Sequence, residues 1–169
     1  MIEKYYGILD DTDLIYGEGC YKDLKDCIKD ALRLGATGFM IGDFGDLNKM
    51  AYEICKNLQT TSKTPFKITI ISTKLKDKDI VDLYKDDNIL FVYSEVPSSY
   101  HFTMSKINRF IINNTFKCFT FSDDTKYFDR LTTGEFYIIN PANCKENYFP
   151  AKEKIVYEPL DATNIHLIE

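Results

Sequence analysis

Short apolar segments alternate with longer amphipathic segments along most of the chain. The apolar segments have the length of single β-strands, whereas the amphipathic segments repeat apolar residues at the spacing of one helix face. Strands are predicted at Tyr5–Leu9, Gly38–Ile41, Phe66–Ser72, Ile89–Tyr93, Phe116–Ser122 and Phe136–Asn140. Helices are predicted at Tyr21–Leu34, Leu47–Leu58, Asp77–Tyr84 and Phe102–Asn113, with a short helix or turn at Lys126–Leu131.

Strands that alternate with helices are typical of βαβ units. The pattern therefore predicts an α/β fold, a three-layer Rossmann-like sandwich around a mostly parallel sheet of five or six strands. The second and fifth predicted strands contain Phe39–Ile41 and Phe116–Phe121, which have the continuous apolar character of interior parallel strands. Residues 142–169 have an irregular pattern, in which only Lys154–Glu158 indicates an edge strand.

Length and composition favour one globular domain and argue against some classes of partner. The 169 residues are 44% hydrophobic and 28% charged, with a net charge of −5. A nucleic-acid binder needs a basic face, and an anionic membrane surface also attracts positive charge, so we expect neither partner. Met1–Asp11 lacks the apolar segment of a signal peptide, and no apolar run is long enough to span a bilayer. We therefore expect a cytoplasmic protein.

The cysteines and histidines give no sign of a metal site. The cysteines are Cys20, Cys27, Cys55, Cys118 and Cys144, and no two of them are spaced as C-x-x-C. The histidines are His101 and His166 alone, so we expect no metal held by Cys or His. The odd number of cysteines is also typical of a reducing compartment.

Four loops follow the predicted strands at the carboxyl edge of the predicted sheet. In an open parallel sheet, ligands bind outside this edge, where the strand order reverses. The loops are Leu9–Asp13, Gly42–Asp46, Ser94–His101 and Ser122–Lys126. We therefore expect a ligand to bind beside these loops.

The loop after the second strand, Gly42-Asp43-Phe44-Gly45-Asp46, joins a strand directly to a helix. Its two glycines allow a tight turn and a close approach of the backbone to a ligand. The free N–H groups of the following helix would suit a phosphate. Alternatively, Asp43 or Asp46 caps the helix and satisfies the same N–H groups, because Asp is a preferred N-cap residue.

This segment, from Gly38 to Leu58, resembles the SLOG superfamily, a Rossmann-like group that includes the Lonely Guy phosphoribohydrolases and sensors of nucleotide signals. Gly42, Gly45, Met50 and Tyr52 match its G-x-x-G-x-F-D-x-M-x-Y pattern, whereas Asn48 stands where those members usually have Asp. The resemblance implies a SLOG domain over residues 1–142. Residues 143–169 would then be a C-terminal extension that packs on the same domain.

A second matching segment contains Arg109, one of three arginines in the chain. Asn108–Ile112 resembles the R-N-R-like helical element of the family, in which an arginine can reach a ligand phosphate. The resemblance therefore implies a phosphate-binding role for Arg109. The alternative from the residues themselves is an internal ion pair with Asp43 or Asp46. Both interpretations place the guanidinium beside the Gly42–Asp46 turn.

The third family element is missing. The phosphoribohydrolases place P-G-G-x-G-T-x-x-E after the fifth strand, but this chain has Ser122-Asp123-Asp124-Thr125-Lys126 there. The catalytic Glu of that motif has no counterpart, so we predict no catalytic residue. Ser122 begins the substituted loop and remains a candidate ligand contact.

Other loop residues have chemistry that suits a ligand. Asp10, with Asp11 and Asp13, follows the first strand and could bind a ribose or Mg²⁺, although three acids are also ordinary in a turn. Ser99 could donate hydrogen bonds to a nucleotide or simply form a turn. His101 could contact a phosphate or act as a general acid, because His titrates near neutral pH, or it could merely cap the next helix.

Three functions are compatible with these residues. The first is non-catalytic binding of a nucleotide or nucleotide-derived signal at the carboxyl edge of the sheet. The second is phosphoribohydrolase or N-glycosidase activity similar to that of the Lonely Guy enzymes. The third is an interaction module that has lost its ligand site. We expect no cofactor, and the expected partner is a small nucleotide-like ligand. The sequence is also compatible with a homo-oligomer.

Overall fold

The structure is a computed structural model that describes residues 3–74, 77–92 and 99–152. Its strands are β1 Tyr5–Ile8, β2 Gly38–Gly42, β3 Lys67–Ser72, β4 Asn88–Phe91, β5 Lys117–Phe119, β6 Phe136–Asn140 and β7 Lys145–Phe149. Its helices are α1 Gly19–Arg33, α2 Asp46–Thr61, α3 Lys78–Leu83, α4 Tyr100–Asn114 and α5 Thr125–Asp129. Strands and helices alternate as the hydrophobic pattern predicts.

In the described part of the chain, the strands form one sheet of seven strands in the order β4-β3-β2-β1-β5-β6-β7. All neighbouring strands are parallel except β6 and β7, which are antiparallel. The predicted α/β fold with a mostly parallel sheet is therefore confirmed, with one strand more than expected. The predicted interior positions of the second and fifth strands are also confirmed.

The additional strand, β7, corrects the expectation of irregular structure after residue 142. Lys145–Phe149 pairs with β6, with Tyr148 opposite Tyr137 and Phe149 opposite Phe136. This edge strand is exposed along most of its length, so its sequence carries no apolar run by which it could be recognised. The expected edge strand at Lys154–Glu158 lies outside the described residues.

Helices cover both faces of the sheet and give two hydrophobic clusters. On one face, Leu24 and Ile28 of α1 and Ile54 of α2 are fully buried. On the other face, Ile107 of α4 and Phe128 of α5 are equally buried. Successive side chains of a strand point to opposite faces, which is why β3 and β5 each place buried side chains in both clusters. Among the described residues, no helix has both the length and the apolar character needed to cross a membrane.

The strand order reverses at β1, because the chain builds outward from β1 through β2 on one side and returns to β5 on the other. The loops after β1 and β5 therefore flank one crevice at the carboxyl edge of the sheet. In open α/β sheets this crevice is the usual ligand position.

Candidate functional site

The carboxylate of Asp10, directly after β1, is buried against the first turn of α2. Its Oδ2 atom accepts a hydrogen bond of 3.0 Å from the backbone N–H of Asn48, and its Oδ1 atom accepts one of 3.1 Å from the Tyr16 hydroxyl. Burial raises the pKa of Asp10, against the opposing effect of hydrogen bonds from Asn48, Tyr16 and the backbone of Leu47. Asp10, in the loop after β1, therefore caps α2, the helix that follows β2.

The turn Gly42–Asp46 is held in place by Asn48. The Asn48 Nδ2 group donates to the Phe44 carbonyl at 2.9 Å, and Asn48 Oδ1 accepts from the Gly42 N–H at 3.1 Å. Gly45 has a φ of +100°, and a Cβ there would lie 2.3 Å from Asp10 Oδ2. The second glycine of the turn thus makes room for the chain's own carboxylate. The N-cap residue of α2 is Gly45, which has no side chain, and Asp46 is exposed in the first turn. The expected capping of this helix by Asp43 or Asp46 is therefore wrong, because the capping carboxylate is that of Asp10.

Asp43 faces β3. Its backbone N–H donates to the Ile71 carbonyl at 3.1 Å, and its Oδ2 atom accepts from the Ser72 hydroxyl at 2.7 Å. The side chain is buried, and its Oδ1 atom has no hydrogen-bond partner. Burial raises the pKa of Asp43, while the Ser72 hydrogen bond and the charge of Lys74 act in the opposite direction. Asp43 therefore links the turn to the neighbouring strand.

A small polar pocket lies in the crevice between the loops after β1 and β5. It has a volume of about 80 Å³. Its lining is formed by Asp11, Thr12, Asp13, His101, Ser105, Asp124 and Tyr127. A water molecule occupies about 30 Å³ of liquid, so this pocket has room for a small part of a ligand, such as two adjacent hydroxyl groups, and not for a whole nucleotide.

Hydrogen bonds across the crevice join the walls of this pocket. The Ser122 hydroxyl donates to Asp11 Oδ2 at 2.7 Å and so connects the β5 loop to the β1 loop. On the opposite wall, Thr12 shares a hydrogen bond with His101 Nδ1, and His101 Nε2 lies 3.6 Å from Asp13 Oδ1. His101 therefore connects the start of α4 to the β1 loop.

The floor of the crevice contains a buried amide. Asn108 of α4 is fully buried, and its Nδ2 group donates to the Asp10 carbonyl at 2.9 Å and to the Tyr127 hydroxyl at 3.3 Å. The Tyr127 hydroxyl also bonds to Ser105 at 2.9 Å. Asn108 Oδ1 has no hydrogen-bond partner. Through Asn108, helix α4 holds the end of β1 and positions the Tyr127 hydroxyl at the pocket.

The structure brings many of the predicted residues to the same edge. Those at the carboxyl edge of the sheet or at the helices that begin there are Asp10, Gly42, Asp43, Phe44, Gly45, Asp46, Ser99, His101 and Ser122. Within this group, His101 alone lines the pocket, and Ser122 reaches it through Asp11. Phe44 packs against Tyr100 with ring centroids 4.7 Å apart. Ser99 caps α4 by accepting from the Phe102 N–H at 3.3 Å, and the loop positions 93–98 lie outside the described residues.

Arg109 does not join this group. It is exposed and lines a separate groove with Phe110 and Asn113 of α4. The expected ion pair with Asp43 or Asp46 is absent, although all three residues are described. The reason is the helical rotation, because α4 turns Asn108 toward the sheet and the next residue therefore faces outward.

Several residues that build the crevice were not among the predicted ligand-binding residues. Asn48 and Asn108 interrupt the buried faces of α2 and α4, and a polar residue at a core position of an amphipathic helix is a usable signal. Tyr16 and Tyr127 carry no such signal, because the chain contains 12 tyrosines and only their neighbours in space distinguish them.

The acidic side chains of the crevice are not grouped as a set of metal ligands. Among residues 3–74, 77–92 and 99–152, no group of three or more His, Cys, Asp or Glu side chains is arranged to hold a metal ion. A wider groove of about 780 Å³ lies away from the predicted ligand loops, where Met40, Thr69 and Leu90 line part of the sheet face beside the end of α4. It contains none of the predicted ligand-binding residues.

Comparison of the chain with models of known protein families and with curated proteins finds no match. The assignment to the SLOG superfamily therefore stays a prediction.

Proposed function

We propose that the chain binds a nucleotide-derived small molecule, without catalysis, in the crevice between the loops after β1 and β5. The single observation that carries this proposal is the polar pocket at the point where the strand order reverses. Its walls come from separate parts of the chain, namely the β1 loop, α4 and the residues after β5. This is the position at which open α/β sheets bind their ligands.

The charge of the pocket favours the nucleoside part of such a ligand over its phosphate. Asp11, Asp13 and Asp124 contribute three carboxylates, which accept hydrogen bonds from hydroxyl or amino groups and repel phosphate. A pocket of about 80 Å³ accommodates the hydroxyl groups of a ribose. The exposed ring of Tyr100, next to His101, offers a surface on which a base can stack.

The start of α2 also disfavours phosphate binding. A helix N-terminus attracts a phosphate through its free N–H groups, but here the Asp10 carboxylate accepts from the Asn48 N–H. A phosphoribohydrolase mechanism needs a preorganised anion site beside the reacting sugar. Here the Asp10 carboxylate occupies the start of α2, and Arg109 lies in a separate groove. The residues therefore support binding alone better than they support phosphoribohydrolase activity.

The test is calorimetric titration of the full chain with nucleosides and the matching nucleoside monophosphates. We expect a nucleoside to bind at least as tightly as its monophosphate. Asp11→Asn should weaken nucleoside binding about tenfold or more, which is the effect of losing one charged hydrogen bond. Asp123→Asn, an exposed acid in the β5 loop, is the matched control and should bind as the unmodified chain does.

Two results would contradict the proposal. Tenfold tighter binding of the monophosphate would assign the site to a phosphate. Release of free base from a nucleoside monophosphate at an ordinary enzymatic rate of about 1 s⁻¹ would show that the crevice is catalytic.

A further inference from the structure

Two cysteines that are distant in sequence lie side by side in the structure. Cys27 Sγ on α1 and Cys144 Sγ in the turn between β6 and β7 are 3.9 Å apart and separated by 117 positions in the chain. Cys27 is buried, whereas Cys144 is exposed. Among the described cysteines, this is the one pair in which sulfur faces sulfur.

We propose that Cys27 and Cys144 form a thiol-oxidation site that closes to an intramolecular disulfide by exchange with a low-molecular-weight disulfide such as glutathione disulfide. A disulfide needs its sulfur atoms about 2.05 Å apart. The present separation of 3.9 Å therefore requires an approach of about 2 Å. Cys144 lies in a surface turn, so its side chain can make this movement without displacing the core around Cys27.

The different exposure of the two thiols assigns their roles. The Cys144 thiolate attacks one sulfur of glutathione disulfide, which forms a mixed disulfide on Cys144 and releases the first glutathione as a thiolate. The Cys27 thiol then loses its proton to solvent, and its sulfur attacks the Cys144 sulfur and displaces the second glutathione. Two protein thiols are oxidised, and one glutathione disulfide is reduced to two glutathione molecules.

The surroundings of Cys27 agree with the second role. Burial raises the pKa of the Cys27 thiol to about 12, and the hydrogen bond with Cys144 and the nearby charges of Asp30 and Asp23 act in the same direction. A buried thiol of this kind is a poor first nucleophile toward a reagent in solution. It can still react with a sulfur held at contact distance, because the local concentration is high.

The disulfide would connect α1 to the β6–β7 turn. These two elements are far apart in sequence, so the cross-link restricts the unfolded chain over most of its length. The oxidised protein should therefore unfold at a higher temperature than the reduced protein.

The test is equilibration of the full chain in glutathione buffers from fully reduced to fully oxidised, followed by alkylation and peptide mass mapping. We expect the oxidised protein to lose two of its five free thiols, to carry a Cys27–Cys144 linkage and to show a raised Tm that a reductant reverses. Cys144→Ser, at an exposed position, should fold and should lose both the linkage and the rise in Tm. Cys20→Ser, outside the pair, should retain both.

Several outcomes would overturn the proposal. They are glutathione held on Cys144 while Cys27 stays reduced in the most oxidising buffer, a disulfide between two chains, or retention of all five thiols. A linkage that persists in Cys144→Ser would likewise show that another pair is responsible.

Discussion

The Asp10 carboxylate lies 3.0 Å from the backbone nitrogen of Asn48 and so connects the end of β1 to the start of α2. A helix leaves its first N–H groups without partners, and an anion at that position is stabilised by the helix dipole. Here the anion comes from the loop that follows the central strand β1. The relationship between these two residues fixes the geometry of one wall of the crevice.

We expect Asp10→Ala to lower the free energy of unfolding by about 2–4 kcal/mol, because buried N–H and hydroxyl donors lose their acceptor. Denaturant unfolding followed by circular dichroism measures this change. Asp46→Ala, an exposed acid in the first turn of the same helix, is the control and should cost less than about 1 kcal/mol. Equal losses in the two variants would mean that Asp10 contributes only through its charge.

Gly45→Ala should be more destabilising than Gly35→Ala, although both glycines have a φ of +100°. A Cβ at Gly45 would lie 2.3 Å from Asp10 Oδ2 and 2.8 Å from Met104 Cε, whereas a Cβ at Gly35 meets nothing within 4 Å. We expect about 1–2 kcal/mol for the backbone alone at Gly35 and at least about 1 kcal/mol more at Gly45. Thermal unfolding of the two variants gives the comparison, and identical losses would show that Asp10 and Met104 move aside freely.

The buried carboxylate of Asp43 should make stability depend on pH in a defined direction. Because burial raises its pKa above 3.8, the native state holds the Asp43 proton at pH values where the unfolded chain has released it. Lowering the pH through this raised pKa should therefore stabilise the unmodified chain relative to Asp43→Asn. The raised pKa of Asp10 acts in both proteins and cancels in the difference.

The measurement for Asp43 is the difference in unfolding free energy between the two proteins from pH 7 down to about pH 4. Asp46→Asn is the matched control at an exposed carboxylate. A difference that changes in the opposite direction would show that the ionised form of Asp43 is the one that the fold stabilises.

Neighbouring residues of α4 should respond very differently to truncation. Arg109→Ala should change the free energy of unfolding by less than about 0.5 kcal/mol, since the residue is exposed. Asn108→Ala should cost about 1–3 kcal/mol, because the Asp10 carbonyl and the Tyr127 hydroxyl lose their bond to Nδ2. Urea unfolding of both variants provides the test. A large loss of unfolding free energy in Arg109→Ala would show that its guanidinium stabilises the fold.

The alternation of strands and helices, and with it a mostly parallel sheet, could be predicted from the sequence because buried parallel strands and amphipathic helices have different hydrophobic periods. The loops at the carboxyl edge followed from that arrangement alone. The orientation of Arg109 and the capping role of Asp10 did not, because each depends on how an element rotates and packs against others. The exposed strand β7 was missed for a related reason, since its side chains bury too little surface to leave an apolar pattern.

The position of β1 in the middle of the sheet also constrains how the chain can fold as it is synthesised. Tyr6 pairs with Phe39 of β2 on one side and with Lys117 of β5 on the other. The half of the sheet from β1 to β4 can assemble from the first part of the chain, but the second edge of β1 stays unpaired until β5 has emerged. We therefore expect a nascent intermediate with an open central strand, whose unsatisfied edge is its most aggregation-prone surface.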